Sequence, residues 1–139
     1  MNIPIKYPAS ITINSTWFAG FFDADGTITY SIKNNYPQLT ISVTNKLLID
    51  VINYKHVFKG NVYFDKGQNG YYKWSIQSKA DIDYFKTYLL KYPCKSKKKR
   101  FFFINKYYEL KYLKAYCALP DNARAKAWAN FNNKWNNIG

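Results

Sequence analysis

Two stretches of strict apolar–polar alternation constrain this chain more than any other feature: TITYSIK at 27–33 and QLTISVT at 38–44. In the first, Ile28, Tyr30 and Ile32 point to one side, while Thr27, Thr29, Ser31 and Lys33 point to the other. In the second, Leu39, Ile41 and Val43 oppose Gln38, Thr40, Ser42 and Thr44. A period of two is the signature of a half-buried strand, and the intervening NNYP reads as a turn. The pair therefore predicts a hairpin with one apolar and one polar face. A second pair follows in NVYFDK, the turn GQNG and YYKWSIQ. There Val62 and Phe64 alternate with Tyr63 and Asp65, and Tyr72, Trp74 and Ile76 alternate with Tyr71, Lys73, Ser75 and Gln77.

Helical spacing fills the gaps between the strands. A first helix starts near Thr16, with Asn14 or Ser15 as its cap, and stops at Gly26. KLLIDVINYKHVF at 46–58 is a second, ended by Gly60. Ser78 caps a third over 79–91, which Pro93 breaks. The basic loop CKSKKKR leads into a helix over 99–116, and a last one runs from Asp121 to Trp135. The order is α-ββ-α-ββ-α with further C-terminal helices, an α+β domain whose four antiparallel strands are covered by helices on one face. A chain of 139 residues suits one domain. No internal repeat or linker divides it. The expected parts are an extended lead at 1–13, a domain at 14–116 and a helical extension at 117–139.

Charge gives the first functional direction. Lys and Arg number 21 against 8 acids, a net +13, which attracts polyanions and nucleic acid above all. The bland alternative is a solubilising surface. No apolar run approaches a membrane span, and no membrane partner is expected. Cys94 and Cys117 are too few for a disulfide framework and read as packing residues. His56 is the only histidine, which argues against histidine-based nucleases, zinc fingers and serine–histidine–aspartate chemistry. A metal would need oxygen ligands, which suits Mg²⁺ or another divalent cation. The abundance of Lys, Asn, Tyr, Phe and Ile, residues of A/T-rich codons, points to an organelle genome.

The sharpest feature is FAGFFDADG at 18–26. Asp23 and Asp25 fall at the end of a helix, where the macrodipole is already negative. A divalent cation would offset that repulsion; an ordinary solvated acidic end is the alternative. Ala19, Gly20 and Ala24 are small and would let another backbone approach, which suggests a tightly packed partner helix.

FAGFFDADG resembles the signature of LAGLIDADG homing endonucleases and intron-encoded maturases, with Phe at both leucine positions and at the isoleucine. The α-ββ-α-ββ-α order over residues 14–116 matches that family too. The resemblance implies two motif helices from two modules packed side by side, here through Phe18, Ala19, Gly20, Phe22 and Asp23. It implies that Asp25 ligates the metal, that the Ala24 carbonyl is a further ligand, and that Asp23 is structural. It places Asn45, at the end of the second strand, where a polar residue orients water; the same residue also suits a helix N-cap. Lys97 matches the family's active-site lysine, with Lys98 as the register alternative, and a merely phosphate-contacting or solvated basic run remains open. The polar strand face, Thr27, Thr29, Ser31, Lys33, Gln38, Thr40, Ser42, Thr44, Lys73 and Ser75, together with Lys98, would contact double-stranded DNA. A sheet that merely faces water is the alternative.

The tail NARAKAWANFNNKW and the lead IPIKYPASITIN resemble the second half of two-motif mitochondrial intron-encoded enzymes, so a mitochondrial location is expected. Only one motif is present, so the second module would be a second copy or a complementary half. Three functions fit: a Mg²⁺-dependent DNA endonuclease acting in intron homing, an RNA maturase that binds its host intron RNA, and an inactive nucleic-acid-binding scaffold.

Overall fold

The computed structural model describes residues 13–67 and 70–137. The lead therefore lies outside the described residues, apart from residue 13, as do Gln68 and Asn69 of the expected second turn. The elements are α1 (Trp17–Asp25), β1 (Gly26–Lys33), β2 (Tyr36–Asn45), α2 (Leu48–Phe58), β3 (Asn61–Asp65), β4 (Tyr71–Ile76), α3 (Lys79–Lys91), α4 (Lys98–Tyr112) and α5 (Ala123–Asn136), with a short 3-10 turn at Ala115–Cys117. The sheet order is β1-β2-β4-β3, and β4 is antiparallel to both β2 and β3. Five helices and a four-stranded antiparallel sheet are the α+β architecture that the alternation predicts.

The chain groups into two compact units, Met1–Thr27 with Thr40–Ser96, and Ile28–Leu39 with Lys97–Gly139. The first unit has an aromatic core under the sheet. Ile41, Val43, Trp74 and Ile76 supply the strand side. Phe18 and Phe22 of α1, Tyr54 and Phe58 of α2, and Ile82, Phe85 and Leu89 of α3 supply the helix side. Rings meet edge to face, as their quadrupoles favour: Phe18 on Phe58 at 5.0 Å and Phe22 on Phe85 at 5.1 Å. At Gly60, φ is +86° and a Cβ would stand 2.5 Å from the Ser75 carbonyl oxygen, so only glycine leads α2 into β3.

In the second unit Tyr30 is ringed by Tyr107, Trp128, Phe131 and Trp135 at 5.4–6.0 Å, and its hydroxyl bonds to Asn132. Arg100 donates to the Ile28 carbonyl at 2.9 Å and lies over the Trp135 ring, so this cation is structural. Asn34 and Asn35 both have positive φ, the requirement of a two-residue primed hairpin turn that asparagine meets.

Several boundaries and side chains depart from the sequence expectation. The second helix begins at Leu48, because the Asn45 side chain accepts from the Leu47 N–H and turns the chain before the helix starts. The fourth ends at Tyr112, where Lys114 adopts left-handed backbone (φ 54°) and opens the 3-10 turn. Ile32 is exposed, since it lies at the turn end of its strand, beyond the buried Ile28. Cys117 is exposed in the 3-10 turn and does not pack, whereas Cys94 is buried. Gly26 ends α1, but in extended conformation (φ −84°) rather than as a left-handed stop. Its role is space: a Cβ would fall 2.2 Å from the Phe22 ring.

Candidate nuclease site and nucleic-acid face

Helix α1 is anchored by hydroxyls as well as by packing. The Tyr88 hydroxyl accepts from the Ala19 N–H at 3.0 Å, one of the donors that a helix N-terminus leaves unpaired. The Tyr54 hydroxyl donates to the Phe18 carbonyl at 2.6 Å. Burial pushes the Tyr88 hydroxyl up to about 12 and raises Tyr54 as well. The helix is thereby held from one side, and its last residues are brought to the surface.

Phe18, Ala19 and Phe22 are buried in the chain's own core. Of the set expected to face a partner helix, these three therefore offer no free surface, whereas Gly20 lies on the exposed stripe of the helix. That stripe holds Gly20 and Ala24, both exposed, flanked by the half-buried and stacked rings of Trp17 and Phe21. Helical geometry decides this: residues 18, 19 and 22 share the inward arc, whereas 17, 20, 21 and 24 share the outward one. Nothing lies within 4 Å of a Cβ built at Gly20, so this chain's own packing does not require glycine there.

At the C-terminal end of α1 the two acids separate. The Asp23 carboxylate accepts from the Ser96 N–H at 2.7 Å, and the Ser96 hydroxyl lies 2.7 Å from both the Asp23 carboxylate and its carbonyl oxygen. The Asp25 carboxylate is exposed and lies 3.3 Å from the Asn45 side-chain nitrogen. Asn45 thus donates to Asp25 through one end of its amide and accepts from Leu47 N–H, at 3.0 Å, through the other. Among the described residues no group of three or more His, Cys, Asp or Glu is placed to hold a metal. Asp25, with the exposed Ala24 beside it, offers oxygen donors of the kind a hard divalent cation takes. Lys97 is the N-cap of α4 and half-buried; Lys98 opens that helix and is exposed.

The register builds the polar sheet face. Ser42 pairs with Ser75, and Ser75 with Asn61; Thr44 pairs with Lys73, and Lys73 with Tyr63. The sequence reading omitted Asn61 and Tyr63, because only the strand register places them in these rows. Gln77 donates to the Thr40 hydroxyl at 3.1 Å, tying that face together. Ser42 is only 5% exposed, a correction to its expected contact role, since a covered side chain has little surface to offer. Thr40, Thr44, Lys73 and Ser75 are half-buried and Thr27 is exposed. In the second unit Thr29, Ser31 and Lys33 are exposed and Gln38 is half-buried. Asp65 holds its carboxyl below the usual range through bonds from the Gly67 N–H and then the Tyr71 hydroxyl. The second unit carries eleven basic side chains against two acidic ones, so +9 of the +13 resides there. Among the described residues no helix is long and apolar enough to cross a membrane.

The chain is similar to known proteins. The chain is 52% identical, over 99% of its length, to an intron-encoded RNA maturase of Saccharomyces cerevisiae. It is 48% identical, over 98% of its length, to a probable intron-encoded endonuclease of Debaryomyces hansenii. It spans less than a quarter of the length of either relative. The fold matches an archaeal intron-encoded homing endonuclease solved with DNA, at a TM-score of 0.72 and 16% identity over 88% of this chain and 82% of that one. A group I intron-encoded homing endonuclease solved with DNA gives 0.68 at 19% identity, over 87% of this chain and 68% of that one. The LAGLIDADG endonuclease family model matches residues 18–109, from the first residue of the motif to the last turns of α4, and this chain therefore belongs to the LAGLIDADG endonuclease family.

Proposed function

We propose that this chain is one module of a site-specific, metal-dependent double-strand DNA endonuclease that acts in intron homing. The observation that carries the reading is the exposed Asp25 carboxylate at the end of a helix whose other face is fixed in the core, with Asn45 bonded to it. Asp25 and the Ala24 carbonyl are hard oxygen donors and fit Mg²⁺. A divalent cation bound there supplies a more acidic water nucleophile and stabilises the leaving oxygen. Asn45 holds the Asp25 carboxylate in one orientation, because both ends of its own amide are engaged. Lys97, or Lys98 in the neighbouring register, neutralises charge developing on the phosphate.

The missing acids come from a second module, a copy of this chain or a complementary half, which packs on the Gly20 and Ala24 stripe. The polar strand face, with Thr44, Lys73 and Tyr63 in one row, docks in the major groove, where a β-ribbon fits and side chains reach base edges. The composition and the intron-encoded relatives support a mitochondrial product.

The test is incubation with a duplex library spanning the intronless host gene, with Mg²⁺ or Ca²⁺, alongside sedimentation. Double-strand cuts are expected with Mg²⁺ from the paired protein. Asp25→Asn is expected to bind DNA as wild type does and to cut none, because the change removes a ligand and preserves shape. Wild-type cutting by Asp25→Asn, or by a demonstrated monomer, refutes the shared-site reading.

A second reading, an RNA maturase, is favoured by the 52% identical relative of that name and by α5. The outward face of α5 presents exposed Lys126, Asn130, Asn133 and Lys134, with no acid between 122 and 137. A chain that pairs and binds but cuts no DNA, and that promotes splicing of its intron, is a maturase.

A further inference from the structure

The loop after α3 meets the last turn of α1 at Ser96. Its N–H donates to the Asp23 carboxylate at 2.7 Å, and its hydroxyl is 2.7 Å from both that carboxylate and the Asp23 carbonyl oxygen. A hydroxyl has one proton, so it donates to one acceptor at a time, while the N–H bond to the carboxylate persists. Both acceptors are unfavourably placed without a donor. A carboxylate at a helix C-terminus faces the negative end of the dipole, and the last carbonyls of a helix have no partner inside it. The Phe22 carbonyl is taken by the Gly26 N–H, which leaves Asp23 as the next carbonyl in the turn. Ser96 therefore fixes the peptide plane that joins Asp23 to Ala24, and with it the direction in which the Ala24–Asp25 segment leaves the helix. Asn45 grips the Asp25 carboxylate itself.

We propose that Ser96 is a positioning residue for the nuclease centre: acting through Asp23, it sets the aim of the Asp25 carboxylate and the Ala24 carbonyl. It touches neither metal nor phosphate. The inference rests on the reading of Asp25 as the metal ligand, and it gives the motif's first acid a task distinct from ligation.

The experiment compares the full chain with Ser96→Ala, Ser96→Thr, Asp23→Asn and Asp25→Asn. One readout is Mn²⁺-induced broadening of the Ala24 and Asp25 amide resonances without DNA. A second is the Mg²⁺ dependence of cleavage, with DNA binding measured in Ca²⁺ and thermal unfolding as controls. Residues that orient a ligand typically change metal affinity or activity by about 10–100-fold. Ser96→Ala and Asp23→Asn are expected to need about tenfold more metal in both titrations, with DNA binding unchanged. Ser96→Thr, which keeps the hydroxyl, is expected to restore the wild-type midpoint. An unchanged Mn²⁺ midpoint in Ser96→Ala overturns the proposal, as does a defect that Ser96→Thr shares. Asp25→Asn separates the two levels: if it broadens and cleaves as wild type does, the reading of Asp25 itself falls.

Discussion

Replacing Gly20 with alanine should stabilise the isolated chain and weaken its function at the same time. Gly20 lies in the middle of α1, is exposed, and has open space within 4 Å of the point a methyl would occupy. Glycine in a helix interior costs about 1 kcal/mol relative to alanine, from the extra backbone freedom lost on folding. With no clash to offset it, Gly20→Ala should gain about 1 kcal/mol in the monomer, a rise of roughly 4 °C in melting temperature for a chain of this size. The same methyl lies on the exposed stripe with Ala24, the one proposed above to receive a second helix. There it should push the backbones apart and loosen pairing, and Gly20→Leu should do so more strongly. Calorimetry at a concentration where sedimentation shows monomer measures the first effect; cleavage and sedimentation at higher concentration measure the second. A destabilised monomer would refute the open-space argument. A stabilised variant that pairs and cuts as wild type does would refute the assignment of this stripe to a partner helix.

Alkaline pH should unfold the protein by a defined route. Burial raises Tyr88 from 10.0 to about 12 and raises Tyr54 too, so between these values the native state holds protons that the unfolded chain has released. That stabilisation is complete below pH 10 and is lost as pH rises toward 12; the melting temperature should fall over this range, and Tyr88→Phe should flatten the slope. A melting temperature that is level across it would contradict the buried-tyrosine account. On the sheet, Lys33→Ala with Lys73→Ala should weaken target binding without altering the unfolding transition, whereas Ser42→Ala should have little effect on binding because Ser42 is covered. Equal affinity of the lysine variant and wild type would remove the docking surface. Binding should also fall steeply between low and moderate salt as lysines release counterions from phosphate, and a flat dependence would argue against a phosphate-contacting protein.

What the residues determine by themselves is whatever depends on neighbours in sequence. Alternation at 27–33 and 38–44 fixed two strands, because successive strand side chains point to opposite faces whatever else the chain does. Ser78 capped α3 as expected, since an N-cap bond spans three residues, from the Asp81 N–H to the Ser78 hydroxyl. FAGFFDADG was legible for the same reason, and with it Asp25 at a helix end. Tertiary structure decided the rest. A helix of nine residues rich in apolar side chains all round does not show which arc faces inward; α2 took Phe18, α3 took Phe22, and Gly20 was left outside. The contacts of Asp25 with Asn45 and of Asp23 with Ser96 span 20 and 73 residues, and no local pattern encodes such pairings. Strand register, set by the packing of the buried face, placed Tyr63 beside Lys73 and covered Ser42, so the composition of the polar face followed from the apolar one.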